Sequence, residues 1–317
     1  MSLEIASKLA LSNDARNTHL RTIRIEGGNV TSTNVRTTYR CWDTGLDDNL
    51  DCLVDAATFM SAQKSGSDPQ YTCNKDSLII KNGRMSCSIA LNDITQFPAE
   101  WHPDVKATCA PGNFLEALGK LKFFMGQPQA QPAYVLNGYL YCSNGYFLVR
   151  TKLDTEFPVT ERPISITKQA ADLLLLQKQP PTEIRVCENS LVVQFPSSWL
   201  ETSFYADLID DYETFFDNVE LLQYQEFTDV SQELKTLVKA AKKDHIVTFN
   251  NNTVQLVQDK QALWTVTTSF ETPIVARMKA GVLGVLLQYA DRYNFSNPSV
   301  PVFRGDGIDG VWSLMDV

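Results

Sequence analysis

Two short sequence patterns recur along this chain at a shared interval of about 110 residues, and this interval constrains the fold more than any other feature. A strand-like run that ends in small polar residues occurs at 29–34, 139–144 and 253–258. A second run occurs at 76–80 and again at 189–193. Three such intervals account for the 317 residues. The repeat therefore predicts three tandem domains, 1–102, 103–219 and 220–317, of which the first is abbreviated.

The same order of local signals returns in each repeat. Apolar residues at Phe114, Leu118, Leu121 and Met125 have helical spacing. Helical windows are predicted at 55–64, 113–125, 168–178, 231–243 and 279–290, with a shorter one near 5–11. Alternating strands with Asn-Gly turns at 82–83 and 137–138 lie between them. These signals predict an α+β fold in which each repeat has two helices packed on antiparallel sheets.

Composition excludes several classes of protein. A hydrophobic content of 44% with 21% charged residues is typical of a folded chain, and no apolar run approaches the roughly 20 residues of a membrane span. The first residues lack a basic, apolar secretion leader. The seven cysteines contain no CxxC pair, which argues against zinc and iron–sulfur sites and for reduced thiols. The sequence predicts a cytoplasmic protein without a membrane segment, metal or cofactor.

The distribution of charge matters more than its sum. The net charge of −9 disfavours binding to nucleic acid through bulk charge. The helical windows nevertheless hold ten lysines and only four acidic residues; the lysines are Lys64, Lys120, Lys122, Lys168, Lys178, Lys235, Lys239, Lys242, Lys243 and Lys279. Exposed helix faces often carry lysine, so one such helix means little. Five helices with the same bias predict a positive surface that attracts a polyanion.

Several segments resemble the bacterial DNA sliding clamp, the beta subunit of DNA polymerase III. The hairpin 134–138, followed by Cys142-Ser143-Asn144-Gly145-Tyr146-Phe147-Leu148-Val149, is similar to the middle domain of that family. The stretches 163–166 and 206–212 resemble the family's second helix entry and its phenylalanine-proline-aspartate-tyrosine segment. The end of the chain, 311–317, resembles the clamp's terminal strand and tail. The resemblance follows all three repeats in order, and a clamp this compact and diverged would suit a phage or prophage.

The resemblance implies a DNA-clamp fold and a non-enzymatic processivity factor. Two chains would form a homodimeric ring that encircles double-stranded DNA without sequence preference, with the helix lysines facing the DNA. DNA polymerase and clamp loader would dock through short linear peptides. The implied groove for these peptides is lined by Leu136, Leu148, Phe215, Val311 and Met315, with Ser143 and Tyr146 at its rim.

Two other classes of protein remain open from the sequence. A non-catalytic scaffold or assembly module would share the fold without encircling DNA. A metal-dependent hydrolase would use the carboxylates Asp207, Asp210 and Asp211, with Glu213 beside them. No local histidine or lysine supports catalysis there. The glycine-rich stretch 304–310 lacks both a P-loop lysine and calcium-loop spacing, and it predicts a hairpin before the last strand.

Overall fold

The computed structural model describes residues 2–64, 69–98, 104–125, 132–145, 147–205, 212–217, 225–226, 231–242, 245–258, 261–294 and 301–312. The chain divides into two compact units. The first unit comprises Met1–Leu115 and Thr155–Ala206, and the second comprises Glu116–Asp154 and Asp207–Val317. Each unit therefore combines residues from two of the predicted domains, and the boundaries near 102 and 219 remain a prediction.

Six α-helices occur among the described residues, each within or close to a predicted window: α1 Ser2–Leu11, α2 Ala56–Gln63, α3 Phe114–Leu121, α4 Lys168–Leu174, α5 Ser231–Ala240 and α6 Ala280–Tyr289. Side-chain caps set two of the starts. The Asp55 carboxylate accepts from the Thr58 amide at 2.8 Å, and the Thr167 hydroxyl accepts from the Ala170 amide at 3.0 Å. These caps satisfy amides that lack a partner inside the helix.

The strands are short except in one hairpin. In chain order they are β1 Thr22–Glu26, β2 Asn29–Thr33, β3 Thr37–Cys41, β4 Asp51–Asp55, β5 Gln70–Cys73, β6 Ser77–Asn82, β7 Met85–Asn92, β8 Val105–Cys109, β9 Ala133–Leu136, β10 Tyr139–Ser143, β11 Phe147–Lys152, β12 Ile164–Ile166, β13 Glu183–Cys187, β14 Ser190–Phe195, β15 Ser198–Ser203, β16 Gln225–Glu226, β17 Ile246–Gln258, β18 Gln261–Lys279, β19 Ala290–Asn294, β20 Val302–Gly305 and β21 Ile308–Trp312. The predicted Asn-Gly turns and the predicted final hairpin are present.

An 11-stranded antiparallel sheet forms the first unit, in the order β5-β6-β7-β4-β1-β2-β3-β15-β14-β13-β8. Strands β3 and β15 pair directly, from Cys41 opposite Ser198 to Thr37 opposite Thr202. The sheet thus joins strands that belong to the first and second predicted domains. Helices α1 and α2 contact each other, and α1 packs on β1, β2 and β3.

The second unit contains a sheet in the order β9-β10-β11-β21-β20-β19-β16 and the separate hairpin β17-β18. Phe124, Phe147 and Phe303 pack together on one face of this sheet, with ring centroids 5.8 to 6.2 Å apart. A Cβ at Gly310 would lie 2.0 Å from the Phe303 ring, so only glycine leaves room for this aromatic core. Helices α5 and α6 pack against each other with Gly284 next to Val238.

Among the described residues, no helix combines the length and the apolar character that crossing a membrane requires.

Candidate functional site

A row of side chains crosses four neighbouring strands on one face of the second unit's sheet. Ser143 pairs with Leu148, Leu148 with Val311, and Val311 with Val302. Residues directly opposite each other in antiparallel strands point to the same face. Phe147 precedes Leu148 and points to the other face, where it joins Phe124. The row is therefore on the face of the sheet opposite the aromatic core.

Apolar side chains gather around this row. Tyr141, Leu148, Phe216, Val302 and Val311 are each buried to 7% exposure or less and form one cluster. Three partly buried residues pack against it: Leu136, Tyr139 and Tyr212. We call these eight residues the outer-face cluster. Because its five central residues are buried, a peptide could reach this cluster only at its partly buried border, which Leu136, Tyr139 and Tyr212 form.

The segment 212–217 forms part of this surface. It contains the 3-10 turn Thr214–Phe216, which directs Phe216 onto Tyr141 with ring centroids 5.8 Å apart. The Tyr212 ring packs against Tyr141 at 6.4 Å. The Asn137 side-chain amide donates to Glu213 Oε1 at 2.6 Å and ties the segment to the β9–β10 turn. This hydrogen bond fixes where the segment crosses the sheet.

A buried arginine lies beneath the cluster. The Arg150 guanidinium is 4.4 Å from the centroid of the Phe216 ring and 4.5 Å from that of Tyr139. It also pairs with the Asp309 carboxylate at 3.5 Å, and Arg304 donates to the other oxygen of Asp309 at 2.7 Å. Cation–π contacts and a shared carboxylate compensate for the desolvation of the guanidinium. Burial raises the pKa of the neighbouring Tyr141, and Arg150 opposes that rise.

The residues predicted for the groove have different locations. Leu136, Leu148 and Val311 belong to the outer-face cluster, and Ser143 lies at the end of the same row. Phe215 is 48% exposed, and its neighbour Phe216, at 4%, occupies the place expected for Phe215. Tyr146 and Met315 lie outside the described residues, as do the carboxylates Asp207, Asp210 and Asp211.

Sequence reasoning missed several residues of this surface, including Tyr141, Val302 and Arg150. The strand period of two could have predicted Tyr141, because it is two residues before Ser143 in the same strand and therefore points to the same face. The hairpin predicted before the last strand would have paired Val302 with Val311. Arg150 gave no signal, because a charged residue in a strand usually marks an exposed position.

The equivalent row in the first unit has a different chemistry. There Thr33 pairs with Thr38, Thr38 with Glu201, and Glu201 with Val192. The strand pairs β2-β3 and β15-β14 thus repeat the arrangement of β10-β11 and β21-β20. Threonine occupies the position of Leu148, and glutamate occupies that of Val311. A cavity of about 220 Å³ lies over this polar row, and Trp199 and Phe97 form two of its walls.

The turns beside the two rows share one hydrogen-bond pattern. In the second unit the Ser143 hydroxyl accepts from the Gly145 amide, and the Asn144 side chain accepts from the Phe147 amide. In the first unit Thr33 and Asn34 accept from the corresponding amides of Val35 and Thr37. The third residue of the turn is left-handed in both, with φ of +84° at Gly145 and +76° at Val35. A β-branched residue is strained in this conformation.

The helix lysines differ in their partners. Lys120 pairs with Glu116 at 2.9 Å and Lys168 with Asp172 at 3.2 Å, so two of the four acidic residues in the windows neutralise two lysines. Five others are exposed: Lys64, Lys178, Lys235, Lys239 and Lys242. Lys122 and Lys279 are half-buried, and Lys243 lies outside the described residues. On α5, Leu234 and Leu237 are buried while Lys235 and Lys239 point to solvent, as the spacing predicts.

Comparison with known proteins identifies the fold. No family model and no curated protein sequence matches this chain. Solved structures do match, and the chain has the fold of the DNA polymerase III beta sliding clamps. It is similar to the C. crescentus beta sliding clamp and to the beta subunit from Thermotoga maritima, at TM-scores of 0.76 with 12% and 11% identity. In both cases the match covers 100% of this chain and 96% of the other.

A third match is a Helicobacter pylori beta clamp bound to a DNA ligase peptide, with a TM-score of 0.74 and 14% identity. It covers 100% of this chain and 97% of that one. The predicted α+β clamp fold is therefore confirmed over the whole chain, and at these identities the likeness is one of fold alone.

Proposed function

We propose that this protein is a sliding clamp, a DNA polymerase processivity factor without chemistry of its own. Two chains form a ring around duplex DNA, and the ring holds a replicative polymerase through short peptides. The observation that carries this proposal is the match to solved structures of beta sliding clamps, which covers 100% of this chain and 96% of each clamp.

The outer-face cluster is the proposed peptide groove. Leu136, Leu148 and Val311 belong to this cluster, and exposed Phe215 stays a predicted contributor beside the buried Phe216. Tyr146 and Met315 are retained as predicted contributors. The similar Helicobacter pylori clamp binds a DNA ligase peptide, which supports a peptide as the ligand. We propose that peptides from this protein's partners, including its polymerase and its clamp loader, bind to the outer-face cluster.

The exposed lysines are the proposed contacts to DNA. Lys235 and Lys239 lie on α5, whereas Lys64 caps the end of α2, and Lys178 and Lys242 follow the ends of α4 and α5. The rest of the chain is strongly acidic, so a duplex is attracted to these lysines and repelled elsewhere. Contacts between lysine and phosphate are independent of sequence and weaken with salt. Contacts of this kind hold a duplex in a ring while leaving it free to move along its axis.

Exposed strand edges are the proposed sites of ring closure. On β7, residues 85–90 pair with β6 on one side, and β4 reaches only the last two residues. Met85 on this strand is 59% exposed. In the second unit, Leu263 and Trp264 on β18 are 51% and 48% exposed. Large apolar side chains on open edges favour pairing with another chain.

Small-angle X-ray scattering with an absolute mass tests the ring directly. We expect a particle of twice the chain mass with a central hole at moderate salt. The double variant Leu263→Glu, Trp264→Glu should give a folded monomer, and exposed Val159→Glu is the matched control. A solid compact oligomer would contradict the proposal and favour a scaffold that does not encircle DNA.

Peptide binding is tested by fluorescence anisotropy, with labelled peptides tiled from the replicative DNA polymerase of the same genome. We expect one region of that polymerase to bind, and Leu136→Ala, at the partly buried border of the cluster, to weaken it at least tenfold. Val159→Glu, at a fully exposed position of the first unit, serves as the control. If Leu136→Ala leaves binding unchanged, the groove lies elsewhere on the protein.

A further inference from the structure

The cavity of about 220 Å³ over the polar row of the first unit has room for one long side chain of another molecule. Its residues come from β2, β3 and β15, which are neighbours in the sheet, and from the segment 97–98 that follows β7. All of them belong to the first unit, so the cavity shares no residue with the outer-face cluster of the second unit.

The sheet side of the cavity presents hydrogen-bond acceptors. Glu201 is 7% exposed and lies opposite Thr38 in the pair of β3 with β15, and both residues line the cavity. The Thr33 hydroxyl donates its one hydrogen to the Thr37 carbonyl at 3.2 Å. In the 3.0 Å contact between Thr33 and Thr38 the donor is therefore Thr38. Because the hydrogen of Thr38 is used in this way, its oxygen can only accept from a ligand.

Aromatic side chains form two other walls of the cavity. Trp199 is two residues before Glu201 on β15 and therefore points to the same face of the sheet. Phe97 belongs to the segment outside the sheet, and both aromatic residues are half-buried. The face of an aromatic ring attracts a cation, and the attraction grows where water is excluded. A buried carboxylate, an accepting hydroxyl and aromatic walls together suit a ligand with a positive charge and several N–H donors.

The turn between β2 and β3 adds two exposed residues to the lining of the cavity. The Arg36 guanidinium lies 4.5 Å from the centroid of the Tyr205 ring, which does not line the cavity, so the charge of Arg36 is held at that ring. Val35 is 66% exposed and has the left-handed φ of +76°, whereas the equivalent residue of the second unit is Gly145. A strained and exposed valine adds no stability, and such residues cluster where a ligand is held.

We propose that this cavity binds an arginine side chain of a partner protein, as a docking site additional to the outer-face cluster and independent of ring closure. The planar guanidinium has N–H donors for the Glu201 carboxylate and the Thr38 oxygen, and its flat face stacks on Trp199. A lysine ammonium lacks this plane, so arginine fits better. The net charge of −9 favours a basic peptide over a nucleotide, whose base could stack on the same ring but whose phosphate is repelled.

Titration of the full-length protein with a short peptide tests the site, and the indole N–H signals of its five tryptophans in NMR spectra provide the readout. The probe is acetyl-Gly-Gly-Arg-Gly-Gly-amide, and Trp199→Phe assigns the Trp199 signal. We expect this signal to shift and to saturate while the other four stay in place. The same peptide with citrulline, which keeps the shape of arginine and lacks its charge, should bind about tenfold more weakly.

Two variants and a matched control make the result decisive. Glu201→Gln keeps the shape of the side chain, removes its charge and should weaken binding of the arginine peptide about tenfold. Asp76→Asn removes a charge in the turn between β5 and β6, which β7, β4 and β1 separate from β2, and should leave binding unchanged. If Glu201→Gln fails to fold, Phe97→Ala removes an aromatic wall outside the sheet and should weaken binding about threefold.

Four outcomes would overturn the proposal. They are an unmoved Trp199 signal, equal binding of the citrulline peptide, equal weakening by Asp76→Asn and Glu201→Gln, and tighter binding of guanosine monophosphate than of the arginine peptide. None of them bears on the ring or on the outer-face cluster, which scattering and the polymerase peptides test separately.

Discussion

The outer faces of the two units share one strand arrangement and differ in their side chains. In the second unit the row begins at Ser143 and continues with the apolar Leu148 and Val311, which cluster with Phe216. In the first unit the same row reads Thr33, Thr38, Glu201. The backbone repeat is thus preserved while the face that could hold an apolar peptide occurs in one unit. The strand pairing therefore determines where a site can form, and the side chains on that face determine what the site can bind.

The largest change in the free energy of unfolding should come from placing an aspartate at the same position of each row and comparing the two variants. Leu148→Asp buries an unpaired carboxylate among apolar residues and should lower the free energy of unfolding by about 3–5 kcal/mol. Thr38→Asp, at the equivalent half-buried position, faces the Glu201 carboxylate across the strand pair and should cost less, about 1–2 kcal/mol. Urea denaturation measures both. Equal losses in the two variants would show that the rows do not differ in environment.

The buried arginine of the second unit allows a test of intermediate size. Asp309→Ala leaves the Arg150 guanidinium buried without its carboxylate and should cost about 3 kcal/mol. Arg150→Met removes the charge and keeps the packing on Tyr139 and Phe216, so it should cost about 1 kcal/mol or less. Denaturation in urea again measures the difference. If Arg150→Met were the more damaging change, the cation–π contacts would outweigh the ion pair.

Exchanging glycine and valine at the third residue of the two equivalent turns should change stability in opposite directions. Gly145→Val places a β-branched residue in a left-handed conformation and should cost about 2 kcal/mol. Val35→Gly removes the same strain from the first unit and should add about 0.5–1 kcal/mol to its stability. Thermal melting of the two variants shows the signs. A stabilising Gly145→Val would mean that the two turns are not equivalent.

The smallest effects are expected from the lysines, and they concern binding to DNA. Lys239→Gln on α5 removes an exposed charge that forms no ion pair within the described part of the chain. The slope of log retention against log salt concentration should become shallower by about one for each lysine replaced, and the stability of the protein should not change. Lys168→Gln, in which the lost charge is already paired with Asp172, should change retention less. Retention on a circular duplex across a salt series compares them.

Much of the fold could be predicted from the sequence because its signals are local. Helical periodicity predicts α3 and α5, and Asn-Gly turns predict the hairpins of β6-β7 and β9-β10. The pairing of β3 with β15 could not be found this way, since it joins segments about 160 residues apart.

Leu148 and Val311 were expected at the groove from the resemblance to the clamp family, because spacing along the chain cannot bring them together. Strand alternation predicts which side chains of one strand share a face, but it does not predict that Leu148 lies opposite Val311. Phe215 and Phe216 could not be distinguished, because a short 3-10 turn decides which of two adjacent rings points inward. Arg150 was missed, because its burial depends on Tyr139, Phe216 and Asp309, which lie on three separate segments.

The pairing of β3 with β15 also has a consequence for synthesis. A ribosome makes Thr37 about 165 residues before its partner Thr202. At about 5–20 residues per second, the edge of β3 stays open for roughly 10–30 seconds on every nascent chain. During that time the edge can pair with another nascent chain of the same polysome. We therefore expect the yield of correctly folded protein to depend on how soon residues up to 203 emerge, as well as on the stability of the finished protein.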